Sequence, residues 1–318
     1  MNTAAIPRKN KRTVRQRRAA YRAVFPRTLT KGTSPPRTGP GGAIPSLRKE
    51  SRFLLTMLLL ACLFTLIIHA AETSAYAFRL AGIRTAKLAV ALSLAGMIVL
   101  ISRTSNMVQG LMISGIADKA GQTDPHLALA PFRFVLMSAS VGTAIAIMLF
   151  PTLVSLSARL IAHFEVTGSI PSLLKATANV HGIKQASKHL RPPRLQMLSR
   201  LRIGGVPKRL VLLNVVVTAI YTVGVLAALY ASAYSPDNKS QATMSSALIN
   251  GIATIIMTLL IDPKVGLLTD RAMHGKASQE AVNKMFGLLM LSRLAGTILA
   301  QALLVPATSF ILWALTLF

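Results

Sequence analysis

Six long apolar segments constrain the fold of this 318-residue chain more than any other feature. They run over approximately 53–71, 87–102, 132–151, 210–233, 244–261 and 285–317. An α-helix rises about 1.5 Å per residue, so about 20 apolar residues cross the hydrocarbon layer of a membrane. The pattern therefore predicts an all-α, polytopic transmembrane helical bundle of six spans, with eight spans as the alternative.

The sequence does not determine the extent of the helix in two of these segments. The second either stops at Ser102 or continues as a helix to Asp118. The last is long and contains Pro306, so we expect it to be broken or kinked there. Residues 100–103 resemble residues 290–293, which allows a weak inverted repeat of three plus three helices.

Basic residues dominate the charge, with 36 Lys and Arg against 9 Asp and Glu and a net charge of +27. They flank the apolar segments, as in loops beside an anionic leaflet, which argues against nucleic-acid binding. Residues 1–52 hold 14 basic residues and one acid, together with helix-breaking Pro and Gly. This composition predicts a disordered basic tail, followed by a transmembrane domain over 53–318.

A basic linker, residues 159–209, separates the third and fourth segments and carries ten basic residues with Glu165 as its one acid. We expect it to bind anionic membrane lipids. The spacing of Leu156, Leu160, Ile161 and Phe164 predicts the apolar face of a helix lying at the membrane interface.

The loop charges also predict an orientation. Without the tail, 17 lysines and arginines lie on the side of the basic linker and 3 lie on the other side. The positive-inside rule then makes the linker cytoplasmic and starts the first helix outside. The 14 basic residues of the tail favour the opposite orientation. The bias after residue 52 is distributed over three separate loops, so we base the predicted orientation on those loops. We expect the tail to be dispensable, with Met57 as an alternative start.

Charged residues at membrane depth are costly and therefore mark candidate sites. His69, Glu72, Tyr76 and Arg79 fall within about 80° of one helical face. They form either a functional cluster or an ordinary helix end at which Arg79 reaches the headgroups. His69 and Glu72 resemble half of a metal site, but no second pair follows, so we predict no metal.

A second face carries Arg103, Asn106, Gly110 and Ser114. An arginine with amide and small residues can line a polar cavity, and its forked donors suit phosphate. The alternative is that Arg103 lies at a helix end and extends to the membrane surface.

A third group, Asn250, Thr254 and Thr258, recurs every four residues before Asp262 and Pro263. This spacing indicates either a polar path or a stripe of hydrogen bonds between helices.

Arg293, Thr297 and Gln301 also recur every four residues. Arg293 is the strongest single candidate for a functional charge, because apolar residues surround it on both sides along the chain. Gly296 and Ala300 on a neighbouring face favour close helix packing.

The sequence contains no nucleotide-binding loop, zinc-protease motif or nucleophile elbow, so we expect neither an enzyme nor a cofactor. Several short strings occur together in order: His69-Ala-Ala-Glu72-Thr73-Ser-Ala-Tyr76, Ser102-Arg103-Thr-Ser-Asn106-Met107-Val-Gln109, Ile249-Asn250-Gly251, Asp262-Pro263-Lys264, Asp270-Arg271 and Ser292-Arg293 through Gln301. Over about residues 57–318 this pattern resembles the Amj family of bacterial lipid II flippases, the alternate to MurJ.

The resemblance implies transport of undecaprenyl-pyrophosphoryl disaccharide-pentapeptide from the inner to the outer leaflet of the bacterial cytoplasmic membrane. We then expect a headgroup path that contains Arg79, Arg103, Asn106, Asn250, Arg293 and Gln301. Its charge partners would be His69, Glu72 and Asp262. Two other classes stay open: a secondary carrier with a proton or cation site at Glu72 or Asp262, and a scaffold that binds lipid or a partner through the basic linker.

Overall fold

A computed structural model describes residues 43–167 and 206–317, which are helical except for short turns. The helices are α1 Ala43–Arg84, α2 Leu88–Gln122, α3 Leu129–Met148, α4 Phe150–Thr167, α5 Lys208–Tyr234, α6 Lys239–Ile256, α7 Asp262–Met273 and α8 Gln279–Leu315. A 3₁₀ turn, Pro125–Ala128, precedes α3, and a π-helical turn, Met257–Ile261, joins α6 to α7.

Six helical segments of the described chain are long and apolar enough to cross a membrane. They are Ser51–Arg84, Leu88–Gln122, Pro125–Met148, Lys208–Tyr234, Lys239–Met273 and Gln279–Leu315. The predicted fold class, a polytopic helical bundle of six spans, is confirmed. The longer interpretation of the second segment is also correct, since α2 continues past Asp118.

A break or kink was predicted at Pro306, and the break is not present, because α8 is one helix that runs through the proline. Pro306 is exposed, whereas Leu304 and Thr308 on either side of it are buried. The Thr308 hydroxyl donates to the Leu304 carbonyl at 2.8 Å and to the Ala227 carbonyl of α5 at 3.4 Å. Packing and hydrogen bonding on both sides of the proline therefore hold the helix together where one backbone bond is lost.

Short turns reverse the chain between neighbouring spans, and the turn between α1 and α2 is the tightest. Only Thr85, Ala86 and Lys87 connect the two helices, and Ala86 has a φ of 56°. A Cβ at Gly82 would lie 2.3 Å from the Ala91 Cβ, so glycine is required for this close approach. Six alternating crossings place this turn, the α4 and α5 ends that flank the basic linker, and the turn after α7 on one side.

Helix α5 forms the centre of the bundle, with half of its most apolar window buried. A Cβ at Gly296 of α8 would lie 2.6 Å from the Thr218 Cβ and 2.7 Å from the Val215 carbonyl of α5. Ala300, one turn later, is fully buried. The close packing predicted for Gly296 and Ala300 is therefore confirmed, and α8 lies against α5 at backbone distance.

Helix α4 covers the first part of the predicted linker, and its apolar face is rotated from the predicted one. Ile161 is fully buried, and Leu160 and Phe164 pack against the core of the bundle. Leu156 is exposed, and its place is taken by the buried Val154. The helix thus packs on protein, and an ion pair between Lys87 and Glu165 ties it to the turn between α1 and α2.

The other residues of the tail and linker, 1–42 and 168–205, lie outside the described residues. Disorder of the tail and lipid binding by the linker therefore stay predictions. The described helix α1 begins at Ala43, within the segment 1–52 that was predicted as tail.

Candidate functional site

A buried ion pair joins three spans near the middle of the bundle. The Arg293 guanidinium of α8 donates to one carboxylate oxygen of Glu72 in α1. The Ser102 hydroxyl of α2 donates to the other carboxylate oxygen at 2.8 Å. The side chains of Arg293 and Glu72 are only 8% and 13% exposed. Both charges are therefore buried within the protein, where each neutralises the other.

Two further polar atoms of this cluster are buried without a hydrogen-bond partner among the described residues. They are Nδ1 of His69, one helical turn before Glu72, and Nε of Arg293. The whole His69 residue is only 5% exposed. Because buried polar groups are normally satisfied, the unpartnered atoms are open to a ligand or to ordered water.

The ion pair borders a small cavity of about 30 Å³ formed by α1, α2, α3 and α5. Its polar lining residues are Thr65, His69, Glu72, Asn106, Gln109, Tyr221 and Thr222. Tyr221 is the middle residue of α5, and the other lining residues lie near the middle of their own spans. Gln109 donates to the Thr65 hydroxyl and so joins α2 to α1 across the cavity wall. The arrangement is a polar chamber halfway across the bundle.

Neither Arg103 nor Arg293 lines this chamber directly: Arg103 contacts Tyr221 and Arg293 contacts Glu72, and both of these partners line it. The Arg103 side chain is exposed. The guanidinium donates to the Tyr221 hydroxyl and its carbon lies 5.5 Å from the ring centroid. Since α2 continues to Gln122, Arg103 lies near the middle of its span rather than at a helix end. Asn106, one turn later, does line the cavity.

Arg79 lies two turns beyond Glu72 on α1 but does not pair with it. It is half-buried, and its Nε is buried without a partner among the described residues. On the same face, the Tyr76 ring packs on Phe286 of α8 with centroids 6.0 Å apart. The polar face predicted on α1 thus faces α8, and Glu72 is the residue of that face that takes an ionic partner.

Three other predicted site residues do not line the cavity. Asp262 is exposed at the start of α7 and forms no ion pair within the described chain, so Glu72, the other acid predicted as a partner, is the one that holds Arg293. Gln301 donates to the Arg133 carbonyl at 3.2 Å, on the face of α8 that contacts α3. Asn250 packs against Gly224 of α5, and its side-chain oxygen is buried without a partner among the described residues.

The stripe predicted on α6 makes no hydrogen bond to another described helix. Thr254 donates to the Asn250 carbonyl of its own helix at 2.8 Å, and Thr254 and Thr258 are both exposed. The alternative of hydrogen bonds between helices is not seen for these threonines, and Thr254 satisfies its hydroxyl locally, as threonines in apolar helices do.

Sequence reasoning missed the polar face of α5. Asn214, Thr218, Tyr221 and Thr222 share one side of this otherwise apolar helix. The Asn214 amide donates to the Leu289 carbonyl at 2.9 Å and to the Ser292 hydroxyl at 2.7 Å, beside Arg293. The spacing of four, three and one residues was a signal that could have revealed this face.

Comparisons with known proteins agree on one family. The family model described as "Alternate to MurJ" (Amj) matches residues 64–315, which include Glu72, Ser102 and Arg293. The protein named lipid II flippase Amj from Bacillus subtilis (strain 168) is 38% identical over 261 residues, covering 82% of this chain and 97% of that relative. No solved structure matches the chain significantly. With a family match over most of its length and a relative aligned almost end to end, the chain belongs to the Amj family.

Proposed function

We propose that this protein is a lipid II flippase of the bacterial cytoplasmic membrane. It moves the undecaprenyl-pyrophosphate-linked peptidoglycan precursor from the inner to the outer leaflet. The name of the Bacillus subtilis relative supports this function. The observation that carries the mechanism is the buried pair of Glu72 and Arg293 beside a polar cavity halfway across six spans.

Arg293 is the group best suited to hold the substrate's pyrophosphate. Glu72 accepts from one terminal nitrogen of Arg293, and the Arg293 Nε has no partner among the described residues. Phosphate oxygens match the guanidinium fork at least as well as a carboxylate does. A pyrophosphate that enters the cavity therefore exchanges with Glu72, and the positive charge is never left unpaired at membrane depth.

Arg103 provides a second cation outside the cavity. Its contact with Tyr221, which lines the cavity, places an exposed guanidinium beside the entrance to the polar chamber. The anionic headgroup meets Arg103 first and then passes Tyr221 and Asn106 toward Arg293. Arg79, Asn250 and Gln301 stay candidates for contacts with the sugar and peptide portions in other conformations.

The size of the cavity requires a conformational change. Its space of about 30 Å³ holds two or three water molecules, at roughly 10–15 Å³ each. This is too little for a pyrophosphate and far too little for a disaccharide-pentapeptide. The described arrangement is accordingly a closed one, and the spans around the cavity separate during transport.

The loop charges support an orientation in which the basic linker faces the cytoplasm and the turn 235–238 faces outside. The linker then lies beside the anionic inner leaflet and binds its lipids. The precursor is drawn to the same surface, on the side where it is made.

A bacterium depleted of every other lipid II flippase tests the proposal. The full chain should restore growth, Arg293→Lys should restore it partly, and Arg293→Ala should fail although the protein reaches the membrane. Arg133→Lys is the matched control, because Arg133 is an exposed arginine of α3 that does not line the cavity. Full rescue by the combined Arg103→Ala and Arg293→Ala variant would show that these arginines do not hold the substrate.

A second candidate function, a proton-coupled or cation-coupled carrier of a small solute, is favoured by the same buried Glu72. It predicts that Glu72→Gln is more damaging than either arginine variant and that the full chain does not rescue the depleted bacterium.

A further inference from the structure

We infer that Glu72 is a proton-binding site, and that it takes up a proton when the substrate's pyrophosphate displaces it from Arg293. Lipid II transport is thereby coupled to proton movement. The inference rests on the proposed function and adds an ion to it.

The first step is the charge of the empty site. Glu72 faces Arg293 from α8 and Ser102 from α2, with His69 one turn away on α1. From α5 the cavity is lined by Tyr221 and Thr222, and from α3 by Leu136, none of which is charged at neutral pH. Arg103, and Arg79 two turns beyond Glu72 on α1, are cations of the described chain that lie outside the cavity. The enclosed pair is therefore neutral as long as Glu72 is ionised.

Substrate binding changes this balance. A pyrophosphate diester brings two negative charges to Arg293, and the displaced Glu72 would add a third beside it. Like charges at such short range repel strongly where water is scarce, and an unpaired carboxylate at membrane depth is costly by itself. One proton on the Glu72 carboxylate removes its charge and leaves a hydroxyl that still bonds within the site. When the pair forms again after substrate release, the proton leaves.

A row of buried polar side chains leads away from the cavity along α5. Thr222, Thr218 and Asn214 follow each other every four residues along one face of α5, and each has a buried oxygen without a partner among the described residues. The row begins in the cavity wall at Thr222 and extends about 12 Å toward the Lys208 end of α5, beside the basic linker. Proton exchange between Glu72 and the cytoplasmic side would follow this row of unpartnered oxygens.

Proton uptake on binding is measured by isothermal titration calorimetry of the purified full chain with solubilised lipid II. Titrations at one pH, in buffers with different ionisation enthalpies, give the number of protons taken up per substrate. We expect a value of about one for the unmodified chain and near zero for Glu72→Gln. Glu165→Gln is the matched control, because Glu165 forms its ion pair with Lys87 far from the cavity and should leave the value unchanged.

Each outcome decides between named alternatives. Binding of lipid II by the unmodified chain without proton uptake overturns the inference and leaves the flippase function standing. No binding of lipid II contradicts the proposed function itself. Uptake that survives in Glu72→Gln but disappears in His69→Gln assigns the proton to the imidazole and overturns the role of Glu72. Should Glu72→Gln elute as aggregate in size-exclusion chromatography, the unmodified chain and His69→Gln still decide.

Discussion

Replacing Glu72 with Ala is expected to destabilise the bundle by about 3–5 kcal/mol, the cost of leaving a buried charge without its partner. Arg293 is 8% exposed, and its other near neighbours in the cluster are hydroxyl, amide and imidazole groups. The variant also frees the Ser102 hydroxyl, which donates to the same carboxylate. The charge of Arg293 then has no ionic partner within the described residues.

Replacing both Glu72 and Arg293 separates the cost of an unpaired charge from the value of the pair. A chain with Glu72→Gln and Arg293→Met removes both charges and should be more stable than either single variant, because no unpaired charge stays in the interior. For a chain of this size, about 1 kcal/mol shifts the melting temperature by about 2–4 °C. The single Glu72→Ala change should therefore lower the melting temperature of the detergent-solubilised protein by roughly 6–20 °C.

Thermal unfolding followed by size-exclusion chromatography measures these shifts. Asp118→Asn is the control, since the pair of Asp118 with Lys239 is more than two-fifths exposed and should contribute less than about 1 kcal/mol. Equal melting temperatures for Glu72→Ala and the unmodified chain, or a double variant no more stable than both singles, would refute the reasoning.

Three further outcomes are expected. Cysteines at Ser187 and Ser240 should differ in labelling by an impermeant maleimide, with only Ser240→Cys reacting in intact cells; the reverse pattern contradicts the proposed orientation. A chain starting at Met57 should still insert and transport, as a membrane-fractionation and rescue assay would show, because 28 residues of α1 are left to span the membrane. Gly296→Ala should destabilise the protein by about 1–3 kcal/mol in the same melting assay, since its Cβ would overlap α5. Gly251→Ala has open space and should be neutral or slightly stabilising, and equal effects of the two glycine changes would contradict the packing argument.

The six spans and the two buried charged residues could be predicted from the sequence, because the membrane constrains both. Six apolar segments predict six spans because the bilayer sets the length of each helix. Glu72 and Arg293 were singled out because charges at membrane depth are rare and need a partner. That they partner each other was one of several open pairings, since 221 positions separate them in the chain and helical spacing relates only neighbours on one helix.

The errors arose where the tertiary packing, rather than the local pattern, decides the outcome. Asp262 was one of two acids expected beside the arginines, but it is exposed at the start of α7 and Glu72 pairs with Arg293. Pro306 was expected to break or kink α8, but the helix is not broken there, because buried neighbours on both sides hold it. Tyr221 was missed because a single hydroxyl hardly changes the polarity of a strongly apolar segment.

If Arg293 beside the polar cavity holds the pyrophosphate of lipid II during transport, its replacement should stop the movement of lipid II across the membrane. The full chain, purified and reconstituted into vesicles with fluorescent lipid II, should make the labelled lipid of both leaflets accessible to a membrane-impermeant quencher. Arg293→Lys should slow this exchange, because the charge is kept and the forked donors are lost, and Arg293→Ala should reduce it to the level of empty vesicles. Exchange by Arg293→Ala at the rate of the unmodified chain would show that Arg293 does not hold the pyrophosphate during transport.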